Sequence, residues 1–348
     1  MIIGMTYDLK REYLEMGFSK EEVAEFDSEE TIEAIATTLN SFGHEIVKIG
    51  NIYELAKRLI RGERWDMVFN IAEGLHGRNR EAQIPALLEA YDIPYTFSDP
   101  LTLSLCLDKE MAKRVVRDGG VPTPESFTVT TIDDIERFDD AGIRFPVIVK
   151  PISEGTGKGI NKESIIHTNE DLIVQTMRLL LTYRPLIIER FLPGKEYTAG
   201  IIGTGRDARV IGIIEVRLKE NAEPFAYSYI NKQEYMERVD YILLENEETI
   251  EKISDIAITT YNILGCRDAG RVDLREDENG KIYFLEMNPL AGLHPLHSDL
   301  PIICSKTGMP YERLISAIIE SASRRLHKNS SPLLPVTTHR KDEGNNRL

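Results

Sequence analysis

The segment from Gly270 to Asn288, GRVDLREDENGKIYFLEMN, limits what this chain can fold into more than any other stretch. Two runs of alternating side chains flank Asn279-Gly280, a pair suited to the left-handed backbone of a two-residue hairpin turn. Such a turn sets Asp273 opposite Glu286 and Arg271 opposite Asn288. Successive side chains of a strand point to opposite faces. Those four therefore share one face, while Val272, Leu274, Leu285 and Met287 form the other and enter the core. Two carboxylates directly across a ladder repel each other. A hard cation between them relieves the repulsion, and Asp, Glu and Asn oxygens suit magnesium that also holds nucleotide phosphates. The plainer alternative is a solvated face on which Arg271 neutralises both acids.

Phe145-Pro-Val-Ile-Val-Lys150 reads as a buried strand that ends in an ammonium. Pro151 to Gly159 follows, with Gly155, Gly157 and Gly159 among Ser153, Thr156 and Lys158, and then a second strand over 163–167. Free backbone N–H groups and close backbone approach suit phosphate oxygens. This is no Walker loop, because Gly159 follows Lys158, and no dinucleotide fingerprint, because a strand follows the loop. A ligand-free glycine loop and a buried salt bridge for Lys150 are the simpler alternatives. Glu189-Arg190-Phe191-Leu192-Pro-Gly-Lys-Glu196 has an acid at each end of a strand and turn, which alone is ordinary surface charge.

The first hundred residues alternate strand and helix patterns: Ile2 to Met5, a helix over 29–42, then strands over 45–49 and 67–71. This order predicts a parallel sheet with crossover helices, a Rossmann-like unit. A charged insertion over 9–28 interrupts it. We expect an N-terminal α/β unit over 1–105, a central unit over 106–185, a third over 186–326 that opens with the strand Leu186 to Glu189, and a tail over 327–348 without periodicity. At roughly 150 residues per domain, 348 residues accommodate such units. Forty-two Lys and Arg against 57 Asp and Glu give a net charge of −15, the wrong field for a phosphate-backbone binder, so nucleic acid is not an expected partner. Three cysteines without ligand spacing fit a reducing cytoplasm. No apolar run is long enough for a membrane helix or a signal peptide.

Taken in order, Lys109 in Asp-Lys-Glu-Met-Ala-Lys, Lys150, the glycine loop, Glu189, Glu196, Arg271-x-Asp273 and Glu286-x-Asn288 resemble the ATP-grasp superfamily. His76-Gly-Arg followed by Glu81, and Ile93-Pro-Tyr-Thr-Phe-Ser98, resemble its D-alanine:D-alanine ligase branch, over roughly residues 65–320. The resemblance implies a three-domain α/β architecture and an ATP-dependent carboxylate–amine ligase that works through an acyl phosphate on small molecules, expected as a homodimer in the cytoplasm. It implies that Lys109 and Lys150 hold ATP phosphates under a flap that includes Ser153, Gly155, Thr156 and Gly157. Glu189, Arg190, Phe191 and Leu192 would meet adenine, and Glu196 the ribose. Asp273, Glu286 and Asn288 would hold two Mg2+ ions, with Mn2+ as a substitute. Arg271 would stabilise the tetrahedral oxyanion, Lys232 in the lid would reach the γ-phosphate, and His76 would sit by the first amino acid.

Both amino-acid pockets depart from the family pattern. The usual Gly-Gly-x-Ser-x-Glu of the first loop is absent, leaving Asp8 or Glu12 as the acids of that region. Gln233 stands where the lid has a tyrosine. After Asn288 the chain reads Pro-Leu-Ala-Gly292-Leu-His294-Pro-Leu-His297-Ser298 in place of a Pro-Gly-Met-Thr loop, so Gly292, His294, His297 and Ser298 take the second-substrate region. A ligase for an amino acid or short peptide is the leading reading. A true D-alanine:D-alanine ligase and an ATP-grasp phosphotransferase are the alternatives.

Overall fold

The computed structural model describes residues 1–223, 231 and 234–329. Lys232, Gln233 and the tail from 330 onward lie outside the described residues. Strands β1 (Ile2–Thr6), β2 (Glu45–Gly50) and β3 (Met67–Asn70) form a parallel sheet in the order β2-β1-β3. Helix α1 (Lys10–Glu15) lies in the insertion, and α2 (Glu29–Ser41) and α3 (Ile52–Ile60) make the crossovers that parallel neighbours require. Ser28 caps α2 by accepting from the Thr31 N–H, and Ile32, Ile35 and Leu39 then pack with Ile3, Met5, Met67 and Phe69. Each such buried side chain contributes roughly 1.5–3 kcal/mol. The same core takes in Leu314, Ile315 and Ile318 of the helix Tyr311–Asn329, so the end of the described chain closes onto its beginning.

Helices α4 (Gln83–Ala90), α5 (Pro100–Leu107) and α6 (Lys109–Asp118) lead into a second sheet. It comprises β4 (Ser126–Val129), β5 (Val147–Pro151), β6 (Ile165–Ile166) and β7 (Leu186–Arg190), antiparallel in the order β4-β7-β5-β6, with α7 (Asn169–Leu180) packed on it. Two expectations change here. The strand foreseen over 163–167 shrinks to Ile165–Ile166, because Lys162–Ser164 forms a 3-10 turn capped by Asn161. Leu186–Arg190, expected to open the third unit, pairs instead with β4 and β5, since its partners are strands of the flap unit.

The third sheet, β8 (Glu196–Ile202), β9 (Arg209–Leu218), β10 (Val239–Leu243), β11 (Ala269–Glu276) and β12 (Ile282–Asn288), is antiparallel in the order β10-β9-β8-β11-β12. Ile253, Ala257 and Tyr261 of the helix Glu247–Ile263 cover one face through Val272, Leu274, Phe284 and Met287. On the other face Leu300 and Ile303 of the helix Asp299–Lys306 pack close to Gly200 and Gly212, beside the polar residues of β11 and β12. The insertion has its own small cluster of Tyr13, Val23 and Phe26, against which Phe18 packs. Among the described residues no helix is long and apolar enough to cross a membrane.

Candidate active site

The β11–β12 hairpin reaches the expected pairing by an unexpected route. Its loop has three residues, Glu278 to Gly280. The Asp277 N–H donates to the Lys281 carbonyl at 2.9 Å, and Asp277 Oδ1 accepts from the N–H groups of Asn279 and Lys281 at 2.9 Å each. Gly280 adopts φ +76°, which a side chain would resist. That loop pairs Leu274 with Phe284, one step out of the two-residue register. A bulge at Leu285 then restores Asp273 opposite Glu286 and Arg271 opposite Asn288. The core position foreseen for Leu285 therefore belongs to Phe284, while Leu285 is only half-buried.

On the polar face, Asp273 accepts from Arg271 Nη1 at 2.8 and 2.6 Å, from Thr198 Oγ1 at 2.9 Å and from Asn288 Nδ2 at 3.3 Å. Arg271 also lies 3.1 Å from Asp299. Glu286 Oε2 is 3.1 Å from Lys109 Nζ, which donates to the Glu154 carbonyl at 2.7 Å. Lys109 thus ties the flap to β12. Among the described residues no three or more His, Cys, Asp or Glu form a closed metal site. Two carboxylates and an amide instead fit an ion that completes its shell with water and substrate phosphate oxygens.

Nearby, Lys150 Nζ stands 2.9 Å from Glu189 Oε2 and Lys113 Nζ 2.8 Å from Glu189 Oε1. Burial alone would raise the Glu189 carboxyl, yet the two ammoniums bring it down to about 2. Burial lowers Lys113 to about 8, against the pull of Glu189. Glu196 pairs with Arg275 at 3.1 Å, and the Arg275 guanidinium lies 5.1 Å from the centre of the Phe191 ring. Leu192 is buried, and Arg190 turns to Glu125 at 2.9 Å. In the flap, the Ser153 and Thr156 hydroxyl oxygens are buried and have no hydrogen-bond partner among the described residues, and Thr156 holds φ +50°. Unsatisfied hydroxyls beside glycine N–H groups suit incoming phosphate oxygens.

A cavity of about 640 Å³ gathers much of this chemistry. Lys109, Gly155, Thr156, Arg271, Glu286 and Asn288 line it, together with Gly292, His294, His297 and Ser298 of the following loop. Lys150, Glu189 to Leu192 and Glu196 are not among its lining residues, and neither are two of the expected substrate contacts. Asp8 is turned inward, accepting from the Tyr13 hydroxyl at 2.5 Å and the Gly74 N–H at 2.8 Å, and His76 is exposed. The insertion supplies Glu25 and Asp27 to the cavity instead, joined by Glu73 and Glu81. Glu25 accepts from the Gly155 N–H at 2.6 Å and from Arg80 and Lys158 at 3.1 and 3.3 Å. A Cβ on residue 155 would lie 2.3 Å from that carboxylate, so a side chain there would displace Glu25 from the Gly155 N–H.

In the loop after β12, His294 Nδ1 accepts from the N–H groups of Leu296 and His297 at 3.2 and 3.3 Å. Its neutral ring therefore carries the proton on Nε2, 3.4 Å from Glu30. Burial, then His297, lowers the pKa of His294. His297 Nδ1 shares a hydrogen bond of 2.7 Å with the Tyr235 hydroxyl. The Gly292 backbone closes on Ser298, whose Oγ accepts from the His294 N–H at 3.0 Å. Sequence reasoning missed Asp27, Lys113, Thr198, Tyr235 and Asp299. Only Lys113 left a signal, standing one helical turn after Lys109.

Residues 116–320 match the family model described as D-ala D-ala ligase C-terminus. A D-alanine–D-alanine ligase of Aquifex aeolicus is 30% identical over 289 residues, 83% of this chain and 93% of that one. Among solved structures, the D-alanine–D-alanine ligase of Bacillus anthracis complexed with ATP superposes with a TM-score of 0.72 at 23% identity, covering 94% of this chain and 99% of that one. The VanG D-Ala:D-Ser ligase of Enterococcus faecalis does so with a TM-score of 0.72 at 19% identity, covering 92% and 99%. With its facing acids on β11 and β12, its flap and the succession of Lys109 and Lys150, this chain belongs to the D-alanine–D-alanine ligase family of ATP-grasp enzymes and is an ATP-dependent ligase that forms a carbon–nitrogen bond.

Proposed function

We propose that the enzyme joins the carboxylate of an amino acid or short peptide to the amine of a second small molecule through an acyl phosphate, using ATP and magnesium, and that the pair is not two D-alanines. The observation that carries this reading is Glu286 with Asn288 and Arg271, bordering one cavity with Lys109 and the flap, while Asp273 faces Glu286 across the hairpin. Asp273, Glu286 and Asn288 would hold two Mg2+ ions, with Mn2+ as a substitute. When bound, the metal would supply positive charge that offsets the charge of the phosphates. Lys109 and Lys150 supply positive charge to the phosphates, and Ser153 and Thr156 the unsatisfied hydroxyls. A donor carboxylate oxygen attacks the γ-phosphorus, and ADP leaves with the electron pair of the broken bond. The amine then attacks the acyl carbon and loses a proton, and phosphate leaves. Arg271, lining the cavity, faces the oxyanion of that addition. A homodimer in the cytoplasm belongs to the same proposal.

The altered pockets support a substrate pair of the enzyme's own. The first-loop acid is replaced by the insertion's Glu25 and Asp27, and the acceptor loop by His294, His297 and Ser298. The Aquifex relative favours the second reading, a D-alanine:D-alanine ligase. Phosphate release across paired amino acids, with mass spectrometry of the product, separates the two. Efficient D-alanyl-D-alanine synthesis at low millimolar D-alanine overturns the proposal. Hydroxylamine trapping gives a hydroxamate only from an acyl phosphate, so a stable phosphorylated product without one means a phosphotransferase.

A further inference from the structure

Lys113 is fully enclosed, with 0% of its surface exposed, and does not line the cavity. An ammonium is costly to bury, and a methionine would fill the same space without that cost. Its three contacts join elements that the ligase reading places on different parts of ATP. Lys113 Nζ stands 2.8 Å from Glu189 Oε1 on β7, donates to the carbonyl of Leu285 on β12, and lies 5.8 Å from the centre of the Phe284 ring. Leu285 is the bulge residue that restores the register of Glu286 with Asp273. The opposite oxygen of Glu189 is held by Lys150 on β5 at 2.9 Å.

We propose that Lys113 is a positioning residue that sets the nucleotide and metal halves of the site as one unit. It donates to the carbonyl of the bulge residue, and so fixes where Glu286 points. It also keeps a cation on Glu189 when Lys150 turns to phosphate. Without Lys113, Glu189 holds Lys150 as its one remaining ammonium, and phosphate must compete with a buried carboxylate for it. The charged groups facing Lys113 are Glu189 on β7, Lys150 on β5 and Glu286 on β12. This inference rests on the ligase reading for what Lys150 and Glu286 do.

The test is calorimetric binding of ATP with Mg2+ to the full chain, wild type and Lys113→Met, with circular dichroism and thermal unfolding as controls for folding. The folded variant is expected to bind at least about tenfold more weakly, the order of one charge-assisted hydrogen bond. Wild-type affinity should fall from about pH 7 to about pH 9 as Lys113 loses its proton, and the variant should lack that limb, which a space-filling role would not produce. If Lys113→Met does not unfold cooperatively, Lys113→Gln, which keeps a donor for Leu285 but no charge, gives the same comparison. Wild-type affinity in the folded variant, or an identical alkaline limb in both proteins, overturns the proposal and leaves the ligase reading standing. No binding of ATP with Mg2+ by the wild type overturns both.

Discussion

The cavity has two kinds of wall. On the β11–β12 face the acids meet cations: Glu286 at the cavity meets Lys109, and Asp273 beside it meets Arg271. On the wall built by the N-terminal sheet and its insertion, acids accumulate. Burial raises Asp27 and Glu81 to about 7, and burial with neighbouring acids raises Glu73 well above the usual carboxylate range. Glu25 is the exception, since Arg80 and Lys158 hold it below that range despite burial. In the function proposed above the first wall acts on a polyanion with metal. The second wall carries the chain's departure from the family's first-loop pattern in that proposal, and its charges differ accordingly.

The largest effect should come from the balanced wall. Asp273→Asn or Glu286→Gln is expected to abolish magnesium-dependent nucleotide turnover while circular dichroism stays unchanged. Unaltered turnover in either variant would remove the metal assignment. Arg271→Lys should lower kcat by about 10² to 10³, the effect of losing one oxyanion donor, and should change the ATP KM less. A change confined to KM would make Arg271 a ground-state contact.

His297→Ala tests the loop that the two walls share. Losing the Tyr235 partner should raise the KM of the amine substrate about tenfold, with little change in the ATP KM. A defect confined to ATP would mean that this loop belongs to the nucleotide side. The smallest effect is on stability, at the acidic wall. A carboxyl raised in the folded state keeps a proton that the unfolded chain releases near pH 4, so folding stability falls as pH rises from about 4 to about 7. Asp27→Asn and Glu81→Gln remove that penalty. Each should raise Tm at pH 8 by about 2 °C over wild type, with the gap closing toward pH 4. A gap independent of pH would show that the gain comes from packing.

Much of this site was legible because its rules are local. Alternation along a strand puts Asp273 with Arg271, and Glu286 with Asn288, on one face, whatever surrounds the hairpin. The parallel order of β1, β2 and β3 follows in the same way from short apolar runs separated by helical spacing. The turn shows where that logic stops. Asn279-Gly280 marked the hairpin, but the loop is one residue longer, and the bulge at Leu285 that compensates is held in part by Lys113, 172 residues away. The flap strand Leu186–Arg190 was seen as a strand and assigned to the wrong sheet, because its partners are chosen by packing with β4 and β5.

The sequence by itself determined which residue types exist at the right spacing: the acids of the hairpin, the glycines of the flap and the lysines of the strand and helix. Tertiary structure decided which of them meet. Asp8, an acid left in the first loop, and His76 of the family-like motif do not line the cavity, while Glu25 reaches the flap N–H of Gly155 across 130 residues. A side chain's direction along one strand follows from backbone geometry that a few residues fix. The charge state of a buried acid follows from every group packed around it, and those neighbours come from distant parts of the chain.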